Sequence, residues 1–230
     1  MSERYPGGII SKTAPVPTGP LQNGTAPGIW TLDQQAEFVR QGIWPTAGNV
    51  DPSLFIENLF STWLYTGTGS ALTITNGIDL SGKGGLVWCK DRNSGAMGHH
   101  LVDTVRGASN DLQTQSTNGQ VNSNTVTAFG STGFTLGTST DVNTNGTLYT
   151  SWAFREQSKF FDVVTYTGDG SSYRTITHAL GSTPGVVIAK RTNGAGDWFV
   201  WHTSLGKDGA NSNGVYFGAT LNTTDAAFST

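Results

Sequence analysis

The chain carries one sequence pattern twice, and this repetition constrains its fold more than any other feature. Tyr65-Thr-Gly-Thr-Gly-Ser-Ala-Leu-Thr-Ile-Thr75, with Gly85-Leu-Val-Trp-Cys-Lys90 after it, reappears as Tyr166-Thr-Gly-Asp-Gly-Ser-Ser-Tyr-Arg-Thr-Ile-Thr177 and Gly185-Val-Val-Ile-Ala-Lys190. Asn93 answers Asn193, Val102-Asp103-Thr104 answers Trp201-His202-Thr203, Gly107 answers Gly206, and Thr127-Ala128-Phe129 answers Ala226-Ala227-Phe228. The period is longer than the roughly 20 to 50 residues of a solenoid unit, so each copy is expected to carry its own core, like beads.

The first copy runs on through Gly133-Phe-Thr-Leu-Gly137 and Leu148-Tyr-Thr-Ser-Trp-Ala-Phe-Arg155. The second copy has no counterpart of residues 133 to 157, which read as two strands, and a sheet without them keeps unpaired backbone edges. The sequence is therefore expected to be the N-terminal part of a longer polypeptide that continues past Thr230; the alternatives are that another chain donates the strands or that the second copy is degenerate.

Only 13% of the residues are charged, about half the usual share, so the polar surface must be built from Ser, Thr, Asn and Gly. That palette fits strands that alternate Thr and Ser with apolar residues and turn at Asn-Gly. A net charge of -3 with Lys and Arg scattered singly offers no electrostatic footprint for nucleic acid. The sequence has no leader with an apolar centre and no run of about 18 apolar residues, so membrane insertion is not expected. The single Cys89 excludes an intrachain disulfide, and its place in Leu86-Val-Trp-Cys89, with Ala189 opposite it in the second copy, marks a small buried hydrophobe.

Along the chain, residues 1–28 hold Pro6, Pro15, Pro17, Pro20 and Pro27 without apolar periodicity, which reads as an extended arm that must lie on another surface. Residues 29–58 form a short docking segment. Thr31 to Gly42 is predicted helical, and Pro52 to Asn58 could add one turn. Trp30, Phe38, Trp44 and Phe55 give this segment more apolar area than its size can bury, which makes them candidates for docking on a larger particle. Residues 59–157 and 158–230 are the two β repeats. Strands are predicted at Thr62 to Tyr65, Leu72 to Thr75, Gly85 to Lys90, His99 to Val105, Val126 to Phe129, Phe134 to Leu136 and Leu148 to Phe154. The fold class is mainly β: an arm with one short helix, then tandem jelly-roll-like β-sandwiches, the second incomplete. Alternation in the last strand is expected to turn Leu148, Thr150, Trp152 and Phe154 toward the core.

Few residues carry chemistry. Asp141-Val-Asn143-Thr-Asn145-Gly146 has the opening of a calcium loop, but Trp152 stands where the closing Glu belongs, so a turn at Asn145-Gly146 is the stronger reading. Adjacent His99 and His100 on a strand point to opposite faces and cannot share a metal. The Gly-x-Gly pairs lack the Lys and following helix of a phosphate loop and read as turns. No catalytic triad is seen and no cofactor is implied. Trp198 and Trp201, beside Asp197 and Asn193, are candidates for stacking on a glycan, against the simpler reading of core aromatics.

The Tyr-Thr-Gly-x-Gly pattern, the Gly-x-Val-x-x-Lys strand, Asp103-Thr-Val-Arg-Gly107 and Gly133-Phe-Thr-Leu-Gly137 together resemble a repeated domain of virion structural proteins of tailed phages, especially phages of aquatic bacteria. Pro6-Gly-Gly, Ala14-Pro-Val-Pro17 and Gly28-Ile-Trp-Thr-Leu32 resemble the leader of such proteins. The resemblance implies a tail fibre or appendage in the virion, held to tail, portal or capsid proteins through residues 1–58 and forming a homo-oligomer, with a trimer the usual state. A host surface glycan is the implied distal partner. A capsid-decorating protein is the alternative, followed by a free carbohydrate-binding module.

Overall fold

The computed structural model describes residues 32–41, 54–93, 97–206, 217–225 and 228–229. The chain divides into two compact units, Met1–Phe55 and Ile56–Thr230. In the first unit the described residues centre on α1 (Leu32–Arg40), with Asp33 in its first turn and Arg40 in its last, where each charge complements the helix dipole. Phe38 is half-buried, while Leu32 and Val39 are exposed. The arm, Trp30, the Thr31 cap and Trp44 lie outside the described residues.

The second unit opens with a 3-10 turn at Ile56–Asn58. Nine strands and one short helix follow: β1 (Phe60–Thr66), β2 (Leu72–Thr75), β3 (Gly85–Asp91), β4 (His99–Asp103), β5 (Asn110–Gln113), β6 (Val121–Asn122), β7 (Val126–Gly130), β8 (Gly133–Leu136), α2 (Thr140–Asn143) and β9 (Leu148–Arg155). They form a six-stranded sheet in the order β1-β9-β3-β4-β5-β6 and a three-stranded sheet in the order β2-β8-β7. Every pairing is antiparallel. Between the sheets lies one apolar core. The larger sheet supplies Tyr65, Val87, Cys89, Val102, Tyr149 and Ala153, the smaller supplies Ile74, Val126, Phe134 and Leu136, and Ile78, Leu80 and Val142 close the ends.

β9 corrects the expected facing. Tyr149 and Ala153 are fully buried between the sheets, whereas Leu148 is exposed and Trp152 and Phe154 are half-buried on the opposite face. Alternation fixes which residues share a side, and the side of β9 that meets the smaller sheet is the one carrying Tyr149 and Ala153. The bulky pair goes outward, where Trp152 meets Trp88 edge-on at 6.0 Å between centroids and Phe154 meets Phe60 at 4.8 Å and Phe161 at 5.3 Å.

The second repeat supplies β10 (Val186–Lys190), β11 (Trp198–His202), the short α3 (Thr203–Gly206), β12 (Phe217–Thr220) and β13 (Phe228–Ser229), joined in that strand order as a four-stranded sheet. Its first pair reproduces the register of β3 and β4: Val87 faces Val102 as Val187 faces Trp201, Cys89 faces His100 as Ala189 faces Phe199, and Lys90 faces His99 as Lys190 faces Trp198. Thr104 donates its backbone N–H to Gly85, and Thr203 donates to Gly185 in the same way. The two repeats are nevertheless not separate beads. Trp198 and Leu86, Leu101 and Leu112 form one buried cluster on the outer face of the six-stranded sheet, with Phe161 and Val163 packed against it.

Candidate functional site

Polar side chains buried in the first repeat converge at two places. At the first, the His100 ring nitrogen Nδ1 lies 2.6 Å from Asp111 Oδ2, and Asp111 Oδ1 accepts from the Leu101 N–H. On the other side of the ring, Nε2 lies 3.9 Å from Asp141 Oδ2. His100 and Asp111 are both buried. The hydroxyls nearby attach to the carboxylates, Ser123 to Asp111 and Ser139 to Asp141, and not to the imidazole. The cluster therefore ties β4 to β5 and to the start of α2. His99, on the other face, accepts at Nδ1 from the Trp88 indole at 3.0 Å, and burial holds its pKa below the usual histidine range.

At the second place, Arg106 folds back over the turn after β4. Its Nε donates to Asp103 Oδ2 at 2.6 Å, its other nitrogens donate to the carbonyls of Asn110 and Leu101 and to Gln120 Oε1, and its backbone N–H donates to Asp103 Oδ1. This gives the Asp103-Thr-Val-Arg-Gly107 motif a physical meaning. It is a closed polar brace over the turn that follows β4, which ends at Asp103, two residues before the sequence-predicted stop.

The calcium-loop residues do not converge. Asp141 lies in the first turn of α2, where the Ser139 side chain caps its N–H. Asn143 is fully buried; its Oδ1 accepts from the Thr68 N–H and its Nδ2 donates to the carbonyls of Ser70 and Gly137. Asn145 is exposed on the turn completed by Gly146 at φ +79°. A carboxamide with all three of its bonds engaged in holding a loop is no ligand for a cation, and among the described residues no cluster of three or more His, Cys, Asp or Glu could hold a metal. Calcium titration is expected to leave the melting temperature unchanged; a rise would reinstate the site. Cys89 behaves as its neighbours suggest: it is buried in the core and burial pushes its thiol up to about 12. Alkylation by a maleimide under native conditions should therefore be undetectable until the unit unfolds.

The glycan candidates separate. Trp198 is only 4% exposed and its indole N–H donates to the Gln113 carbonyl at 3.0 Å, so it is a core residue that fastens the second repeat to the first. Trp201, on the other side of β11, is half-buried. Around Trp198, Lys190 Nζ donates to the Thr117 carbonyl, the Gly196 N–H donates to the same carbonyl, and the Gln120 N–H donates to Thr192. Of the docking candidates, Phe38 is half-buried and Phe55 exposed.

Residues 56–230 match the family described as Domain of unknown function (DUF7483). The chain belongs to this family. The match spans the same residues as the second compact unit, so one DUF7483 domain contains both repeats. No curated protein and no solved structure matches the chain.

The feature of the DUF7483 domain that sequence reasoning did not single out is the outer edge of β10. Among the described residues this strand ends its sheet, and Val186, Val187 and Ile188 are exposed on both of its faces. The signal was available in the sequence as Gly185-Val-Val-Ile188, an apolar run copied from the buried strand β3 without the strand that covers β3.

Proposed function

We propose that the chain is a non-enzymatic structural protein of a phage virion, a tail fibre or appendage that attaches through residues 1–58 and carries its DUF7483 domain outward toward the host surface. The observation that carries this reading is what the two repeats share and what they do not. The strand register and turn glycines recur, while every polar constellation belongs to one copy. His100 is answered by Phe199, Asp103 by His202 and Arg106 by Leu205. Duplication that preserves a pleated framework and discards its buried polar chemistry suits a module repeated for length and display. By the resemblance the assembly is a homo-oligomer, with several weak distal contacts acting together on a cell surface.

The test is deletion of residues 1–58 followed by measurement of the protein's level in purified particles. Loss from particles, with the DUF7483 domain still folded, is expected; normal incorporation would sink the anchor assignment. Immunogold labelling of intact particles then decides location. Label on the tail supports an appendage, and label over the head lattice would transfer the assignment to capsid decoration.

A further inference from the structure

In the first repeat β9 fits between β1 and β3, and four positions are shaped by it or by the loop leading into it. A Cβ on Gly85 would stand 2.1 Å from the Phe154 carbonyl oxygen of β9. A Cβ on Gly67 would stand 2.2 Å from the carbonyl oxygen of Thr144, in the loop before β9. Tyr65 stacks on Tyr149 of β9 with centroids 5.2 Å apart and is 8% exposed. Val87 pairs with Ala153 of β9 and is 0% exposed.

The second repeat keeps all four residue types and satisfies none of them. Gly185 and Gly168, the counterparts of Gly85 and Gly67, have nothing within 4 Å of an added Cβ. Tyr166 is 58% exposed and Val187 41% exposed. No strand forms between Phe161 and Gly185. Glycine and exposed valine without a local reason are both unfavourable choices, the first for backbone entropy and the second for water. Both become explicable together if something approaches the backbone closely at these points.

We propose that the second repeat is an acceptor for a strand of the Asn143–Arg155 type, an extended segment led in by an Asn-Gly turn that pairs antiparallel with the free edge of β10. Its register follows from β9 on β3, where Gly85 faces Arg155, Val87 faces Ala153 and Cys89 faces Ser151. The incoming strand accordingly carries small residues against Val187 and Ala189, an aromatic ring over Tyr166 and bare backbone against Gly185 and Gly168. Strand addition of this kind supplies main-chain hydrogen bonds for affinity and alternate side chains for specificity. Pairing of β10 with β10 of a second copy does not fit as well, since it brings no loop carbonyl to Gly168 and no ring to Tyr166. The proposal stands on the internal repeat and holds whatever particle or surface the protein serves.

The test adds a synthetic peptide with the sequence of residues 143–156 to the full chain and follows amide hydrogen exchange. Exchange at Val186–Lys190 should slow about tenfold or more, while β3 is unchanged. Gly185→Ala should leave the melting temperature of the free chain unaltered or slightly raised and abolish that protection, because its Cβ would crowd a carbonyl placed as the Phe154 carbonyl is against Gly85. Three results would overturn the proposal: no slowing at β10, slowing that Gly185→Ala does not change, or slowing that arises without peptide as the chain is concentrated, which marks pairing between two copies.

Discussion

Arg106→Ala is expected to destabilise the DUF7483 domain by about 3–5 kcal/mol, the range for removing one partner of a buried ion pair. The guanidinium and the Asp103 carboxylate are both buried and meet at 2.6 Å. Truncation leaves a carboxylate in the protein with one backbone N–H for company, and strips donors from the carbonyls of Asn110 and Leu101 and from Gln120. For a unit of this size each kcal/mol shifts the melting temperature by about 2–4 °C, so the loss should be plain in a thermal or urea melt. The double variant Asp103→Leu/Arg106→Met discriminates between explanations. If the single variant fails because it strands a charge, replacing both partners by apolar groups should recover part of the stability; if the double is worse than either single, the bonds to the turn carbonyls dominate. A loss under about 1 kcal/mol for Arg106→Ala would put the pair with surface salt bridges.

The second repeat bears on the same point. It carries His202 and Leu205 at these positions and still folds β10 and β11 in the register of β3 and β4. The pairing of that hairpin is therefore encoded by apolar alternation and by the Gly185 to Thr203 bond, as by Gly85 to Thr104, and the brace is an addition of the first copy.

How much was legible in the sequence follows the same division between pattern and context. Strands with strong alternation, such as Leu72–Thr75 and Gly85–Asp91, stand where the residues place them to within one position. β5, with the sequence Asn-Asp-Leu-Gln, escaped notice because its inward carboxylate, Asp111, is paired with His100 from a neighbouring strand, and no local pattern reveals such a partner. Around α2 the residues point to a turn at Asn145-Gly146, with a cation loop as the weaker alternative; that Asn143 clamps Thr68 and Ser70 depends on a contact some 70 positions away in sequence. For β9 the alternation was correct and the inward face was not, since nothing local to the strand says which of its two faces meets the second sheet. Trp198 was ambiguous for a similar reason, because only the first repeat's outer face decides that it is covered.

One substitution made in both repeats should give opposite results, because the paired glycines have different surroundings. Gly85→Ala puts a Cβ 2.1 Å from the Phe154 carbonyl and 2.7 Å from Leu80, at a backbone φ of +153° that a side chain rarely tolerates. Crowding of a packed interior costs about 1–3 kcal/mol and the strained backbone about as much again, so a loss of about 2–6 kcal/mol is expected. Gly67→Ala, 2.2 Å from the Thr144 carbonyl, should fall toward the lower end, because its φ is not in the left-handed range and only the loop must yield. Gly185→Ala and Gly168→Ala meet nothing within 4 Å and have ordinary φ values. They should be neutral or slightly stabilising, by at most about 1 kcal/mol, since alanine narrows the unfolded ensemble. Four melting curves decide the matter. If the second-repeat variants cost as much as their first-repeat counterparts, the space at Gly185 and Gly168 is already filled in the chain by itself, and β10 has no edge left to offer. If the pairs diverge as expected, the glycines of the second repeat confer no stability on the free chain, and the hydrogen-exchange experiment with the peptide then decides whether an arriving strand accounts for them.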